Sequence, residues 1–252
     1  MLLDLAGVIY DGDTLIPGSA DAIGRLRAAG LAVRFVSNTT RSPRPALVKQ
    51  LAGFGIAVAD HELVTPAAAA IAWLRQAGRS PFLVVHPNLR PDFEGMEFDG
   101  KPAVVVGDAG EAFDYAVLNA AFRQLMDGAE LVALAVNRMF KDRDGLPSMD
   151  AGAFVAALEF ASGVKATVIG KPAPAFFNAA LEDMGCGPHE VAMVGDDAES
   201  DVAGALKAGL GAALLVRTGK YRPGDETRFE PAPTAVVDDL AAAADWLLSR
   251  RG

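Results

Sequence analysis

Short apolar runs rich in β-branched residues alternate along this chain with stretches whose apolar positions recur at helical spacing. The runs cover residues 33–36, 166–169, 191–194 and 212–216. The helical stretches cover 19–29, 45–54, 173–184, 198–208 and 240–249. Ile23 and Leu26 mark the apolar face of the first of these, and Phe176, Phe177, Ala180 and Leu181 that of the third. Apolar strands separated by amphipathic helices form a parallel sheet covered on both faces, so the pattern predicts an α/β fold.

The middle of the chain predicts a second α/β unit. Residues 82–85, 103–106, 115–118 and 130–135 read as strands, with turns at His86-Pro87-Asn88 and Asp99-Gly100-Lys101-Pro102. Helical patterns at 66–77, 118–127 and 151–162 complete it, and Pro66 reads as the first residue of a helix. The expected organisation is a core unit of residues 1–63 plus 165–252, with residues 64–164 inserted as a separate domain.

Composition narrows the partners. The chain has 252 residues, a formal net charge of −9 and 51% hydrophobic residues. That is enough apolar material for a large core or two smaller ones. An acidic chain repels nucleic acid and anionic lipid, so neither is an expected partner. A small anionic substrate remains compatible if a metal offsets the field locally. Cys186 is the single cysteine, which excludes an intrachain disulfide and suits a reducing compartment. No signal-peptide pattern and no apolar run of about 18 residues is seen. The expected location is the cytoplasm.

Four motifs fall just past predicted strand ends, where ligands bind on parallel sheets. In the first, Asp4 ends an apolar strand and Gly7 follows. Its carboxylate can attack phosphorus and form an aspartyl-phosphate, or serve as a turn residue. In the second, Ser37 and Asn38 can bond phosphate oxygens, or cap a helix. In the third, Lys171 lies between Gly170 and Pro172, a fixed positive charge or a surface lysine. In the fourth, Asp196 and Asp197 end a strand, with Asp201 in the next helical turn. Hard oxygen ligands there suit Mg²⁺, although acids also cap helix N-termini. His61, His86 and His189 share no metal-ligand spacing and read as surface residues, and the charged run 140–144 reads as a solvated turn.

Taken together, the order Asp4, Ser37, Gly170-Lys171-Pro172, Gly195-Asp196-Asp197 resembles the haloacid dehalogenase superfamily over nearly the whole chain. The insertion between the second and third motifs is similar to the C2-type cap of the subfamily that contains nucleotide-monophosphate and 4-nitrophenyl phosphatases. The stretches Gly7-Val8-Ile9-Tyr10, 156–161, 165–172 and 216–223 add to this resemblance. It implies a Rossmann-like parallel-sheet core, a small phosphorylated substrate, Mg²⁺ and a homodimer formed through the cap. It also implies roles. Asp4 would be nucleophile and metal ligand. The Ala6 carbonyl and Asp196 would be further ligands, supported by Asp197 or Asp201. Ser37 and Asn38 would hold the phosphoryl group, and Lys171 would neutralise Asp4 and phosphate. Residues 10–16 would form a hairpin beside the site.

The chain departs from this pattern at Ala6. Most phosphatases of the superfamily carry there an aspartate that protonates the leaving group and then activates water. Alanine does neither. The expected consequence is a restricted substrate range, favouring pyrophosphate, aryl phosphates and P–N bonds, whose leaving groups need little proton donation. Ala6 also leaves open a catalytically weak binding or regulatory protein.

Overall fold

In the computed structural model, residues 1–141, 146–182 and 184–250 are described, the side chain of Lys141 excepted. The charged run read as a turn therefore lies largely outside the described residues. The chain divides into two compact units. One comprises Met1–Ser37, Leu47–Val64 and Lys171–Gly252, and the other Asn38–Ala46 and Thr65–Gly170.

The first unit is built on six parallel strands. They are β1 (Leu2–Asp4), β4 (Arg34–Val36), β5 (Leu63–Val64), β12 (Ala192–Gly195), β13 (Ala212–Val216) and β14 (Ala235–Val237). Their order is β14-β13-β12-β1-β4-β5. β1 is central, pairing Leu3 with Val194 on one side and Phe35 on the other. It is wholly buried, which is why its sequence is apolar up to the acid that ends it. Leu3, Leu5, Ile9, Ile23, Leu26, Phe35, Leu214 and Leu240 belong to one core cluster. Register brings Asp4 level with Val36, so β1 and β4 end together. The short strands β2 (Tyr10–Asp11) and β3 (Thr14–Leu15) pair as a hairpin at the position expected. Gly12 in its turn has φ +57°, a conformation glycine takes at little cost.

The second unit has its own parallel sheet of β6 (Pro81–Val84), β7 (Ala103–Val106), β8 (Glu130–Ala133) and β11 (Ala166–Val168), in the order β11-β8-β7-β6. A separate pair joins β9 (Met139–Lys141) and β10 (Pro147–Met149). Val104, Val106, Leu125, Leu131, Val155 and Leu158 form its separate core.

Two sequence expectations are corrected here. The run 166–169, read as a strand of the core sheet, instead pairs with β8 and closes the inserted sheet, Val168 against Ala133. Residues 115–118, read as a strand, begin the helix Tyr115–Met126. Asp114 caps that helix, its carboxylate accepting the Val117 N–H at 2.8 Å. A four-residue apolar run carries no periodicity of its own, and the cap decides it.

Candidate active site

β1, β4 and β12 deliver Asp4, Ser37 and Asp196 to the same edge of the core sheet, each at or one residue past the strand's last position. Ser37 is buried there, and its backbone N–H donates to Val64 O at 3.1 Å. Asn38 belongs to the inserted unit, where its amide oxygen lies against Gly170; a Cβ on Gly170 would come within 2.9 Å of it. Ala6 is exposed in the turn after β1. In that turn Leu5 O accepts the N–H groups of Val8 and Ile9, the latter at 2.8 Å.

Lys171 is the first residue of the returning core segment and is 3% exposed. Its ammonium donates to Asp4 Oδ1 and, at 2.6 Å, to Asp201 Oδ1. Pro172 fixes this approach by packing on Gly204, where a Cβ would meet the proline ring at 2.7 Å. Burial works against the charge on Lys171, but the carboxylates of Asp201 and Asp4 overcome it and hold the pKa above the ordinary lysine value.

Asp196 and Asp201 complete the cluster. One carboxylate oxygen from each of Asp4, Asp196 and Asp201 lies within 4.8 Å of the others, and all three residues are buried. The first turns after β12 are wide, a π-helical stretch over Ala198–Ala203 that tightens to α-helix over Gly204–Lys207. This swings Asp201 back towards the strand end. Gly195 makes the approach possible, since a Cβ there would overlap the Asp201 side chain. Asp197 points elsewhere: its carboxylate caps the helix, accepting the Glu199 and Ser200 N–H groups at 3.1 and 2.9 Å. It also meets Lys220 Nζ at 3.3 Å. Asp201 thus joins Asp4 and Asp196, while Asp197 serves the helix terminus and Lys220. The sequence had left these two acids undivided. Lys220 lies in the stretch 216–223 that adds to the family resemblance, and no spacing signal assigns it a role.

The electrostatics of the cluster favour a cation. Burial first, then the charges on Asp4 and Asp201, pushes Asp196 well above the ordinary carboxylate pKa. Burial also raises Asp201, although Lys171 opposes that shift. Four acids, Asp4, Asp196, Asp197 and Asp201, face two ammonium groups, Lys171 and Lys220. The two negative charges left over match one divalent ion. An all-oxygen donor set of few carboxylates fits Mg²⁺, which keeps several waters.

Comparison with known proteins agrees with this geometry. Residues 1–99 match the family described as haloacid dehalogenase-like hydrolase, and residues 168–243 match a second, HAD-hydrolase-like family. The chain is 43% identical over 256 residues to phospholysine phosphohistidine inorganic pyrophosphate phosphatase of Xenopus laevis, covering 99% of this chain and 94% of that protein. Among solved structures, it is similar to a 4-nitrophenylphosphatase from Thermotoga maritima, at TM-score 0.87 and 30% identity, covering 97% of this chain and 95% of that one. It is also similar to a glycerol phosphate phosphatase from Mycobacterium tuberculosis in complex with magnesium, at TM-score 0.83 and 27% identity, covering 96% and 74%. A parallel core sheet ending in Asp4 and Asp196, an inserted α/β unit and a near full-length match all lead to one assignment: the chain belongs to the haloacid dehalogenase-like hydrolase family.

Proposed function

We propose that this chain is a Mg²⁺-dependent phosphatase that works through an aspartyl-phosphate on Asp4. The observation that carries the reading is the Lys171 ammonium bridging Asp4 and Asp201 beside Asp196, buried at the end of the central strand. A nucleophilic carboxylate must be anionic and aimed, and Lys171 does both by holding one Asp4 oxygen through an ion pair. Mg²⁺, held by Asp4, the Ala6 carbonyl and Asp196, supplies Lewis-acid charge that offsets the phosphate's own. Ser37 and Asn38 donate to the phosphoryl oxygens. The other Asp4 oxygen forms a bond to phosphorus, and the bond to the leaving group breaks, its electron pair going with that group. Water then attacks the phosphorus of the acyl phosphate, releasing inorganic phosphate and restoring Asp4. Asp201 keeps Lys171 in place throughout.

Ala6 sets the substrate preference. With no acid at this position, leaving groups that depart unprotonated, or that carry their own proton, react best. These are pyrophosphate, aryl phosphates and protonated nitrogen in phosphoramidates. The relative from X. laevis, named for phospholysine, phosphohistidine and pyrophosphate, supports this choice. Restoring the acid with Ala6→Asp is expected to raise turnover of alkyl phosphates by up to about 10²–10⁴-fold, the usual worth of general acid–base help. Steady-state phosphate release from glycerol phosphate measures it; an unchanged rate removes Ala6 as the cause of the preference.

Ala6 also favours a second reading, a binding protein that retains the fold with little turnover. Hydrolysis of 4-nitrophenyl phosphate with and without Mg²⁺, repeated on Asp4→Asn, decides between the two. Metal-dependent turnover that is lost with Asp4 supports the enzyme. A rate at background in both proteins supports the binding reading.

The functional unit of this proposal is a homodimer formed by the inserted unit. The large hydrophobic residues exposed among the described residues, from Phe98 to Phe160, all lie in that unit. On the helix Ala151–Ser162, Phe160 is 93% exposed and shares its face with the exposed Ala153 and Ala157. A contiguous apolar helix face of this kind fits a second copy of the chain. Phe160→Glu is expected to convert the dimer to monomer in sedimentation equilibrium; an unchanged mass places the contact elsewhere.

A further inference from the structure

The segment Thr218-Gly219-Lys220 follows β13, and beyond the pairing of the Lys220 ammonium with Asp197 it touches the candidate metal ligand Asp196 through its backbone. The Lys220 backbone N–H donates to Asp196 Oδ2 at 2.7 Å. Gly219 and Gly7, with φ of +62° and +83°, lie next to each other and both pack against the same carboxylate. A Cβ on either glycine would fall onto Asp196 Oδ2, and one on Gly219 would lie 2.6 Å from the Gly7 Cα. The Thr218 hydroxyl closes the arrangement by donating to Gly7 O, which ties the segment to the turn after β1. The Lys220 ammonium then pairs with the next acid, Asp197.

We propose that Thr218-Gly219-Lys220 is a positioning strap that fixes Asp196 Oδ2 against backbone and so presents the other carboxylate oxygen to the divalent ion. An aspartate side chain rotates about two bonds, and an unheld one would sample orientations that turn its free oxygen away from the ion. The strap removes that freedom through one N–H and the close approach of two neighbouring glycine backbones, Gly219 and Gly7, that a side chain would prevent. The Thr218 hydroxyl is its tie to the turn after β1, so one atom can be removed to loosen it there. Outer partners that orient metal ligands in this way are typically worth about 10–100-fold in metal affinity. The inference rests on the Mg²⁺ reading of the site.

The test is calorimetric titration of Mg²⁺ into the full chain without substrate, alongside metal-free thermal unfolding to confirm that each variant is folded. Thr218→Val keeps the shape and loses the donor; its Mg²⁺ Kd is expected to rise about 10-fold or more. Thr218→Ser restores a hydroxyl and is expected to return Kd to near that of the unsubstituted chain. Gly219→Ala, which pushes a methyl onto Asp196, is expected to weaken Mg²⁺ further. Lys220→Met keeps the backbone N–H and is expected to change Kd by less than about 3-fold. With Thr218→Val, raising Mg²⁺ is expected to restore kcat while metal-free thermal unfolding stays near that of the unsubstituted chain, whereas general destabilisation would lower the metal-free transition. Thr218→Ala replaces the valine variant if the latter does not fold. Thr218→Val and Gly219→Ala proteins that bind Mg²⁺ as the unsubstituted chain does would overturn the strap. So would Lys220→Met weakening it as much as Thr218→Val does, because the Lys220 side chain, not the Thr218 hydroxyl and the backbone N–H, would then hold the segment. An unsubstituted chain that binds no Mg²⁺ ends the proposed function itself, and the strap with it.

Discussion

Asp4→Asn is expected to lower 4-nitrophenyl phosphate hydrolysis at saturating Mg²⁺ by roughly 10⁴-fold or more, the scale on which removing a covalent nucleophile acts. Asparagine matches aspartate in shape but offers no anionic oxygen to phosphorus. The protein should still fold, because Lys171 keeps Asp201 as an ion-pair partner when Asp4 loses its charge. Purified Asp4→Asn that retains cooperative unfolding and loses activity separates chemistry from structure. A variant turning over within about 10-fold of the unsubstituted protein would mean that phosphorus is attacked by water or by another group, and the aspartyl-phosphate route would fall.

The second large effect is on stability. Lys171→Met is expected to cost about 3–5 kcal/mol in metal-free buffer, the usual penalty for removing one member of a buried ion pair. Lys171 meets two carboxylates at once, and Asp4 and Asp201 are both buried. Without it, three neighbouring acids are left with Lys220 as the nearby counter-charge among the described residues; its side chain is 64% exposed and its pairing is weakened by solvent. The loss has a ceiling. Asp196 already has a raised pKa, so part of the stranded charge can be discharged by taking up a proton. Urea unfolding of the metal-free protein measures the cost. The double variant Lys171→Met with Asp201→Leu should recover part of it, because the two residues act as one unit. A single variant as stable as the parent would show that water reaches these acids more freely than their burial indicates.

The placement of Asp4, Ser37 and Asp196 was legible from the sequence for a simple reason. Each sits where an apolar run stops, and a strand buried on both faces stops only at the sheet's edge. Asp4 after Leu2-Leu3, Ser37 after Phe35-Val36 and Asp196 after Met193-Val194-Gly195 all announce such an edge. What the sequence could not supply was which sheet a strand joins. Residues 166–168 look alike in either sheet, and only their pairing with β8 assigns them. The distinction between Asp197 and Asp201 was also out of reach, because it depends on the wide first turn after β12 and on the space left by Gly195. The Asp196 strap is more remote still. It joins Thr218 to Gly7, 211 positions apart, through a hydroxyl, and holds Asp196 through the Lys220 backbone N–H, a group every non-proline residue carries and no sequence pattern distinguishes.

The central position of β1 has a consequence for biosynthesis. Its two partners are encoded very unequally: β4 follows within about 30 residues, whereas β12 lies about 190 residues downstream, since Leu2 pairs with Met193. At translation rates of about 5–20 residues per second, the strand that ends in Asp4 leaves the ribosome roughly 10–40 seconds before that second neighbour exists. For that interval the nascent chain carries an apolar strand with one open edge, the kind of edge that recruits other chains. The inserted sheet, whose strands all lie between residues 81 and 168, has its full complement of partners first. Faster elongation or a chaperone that covers residues 1–40 should therefore improve the yield of active protein more than any change within the inserted unit.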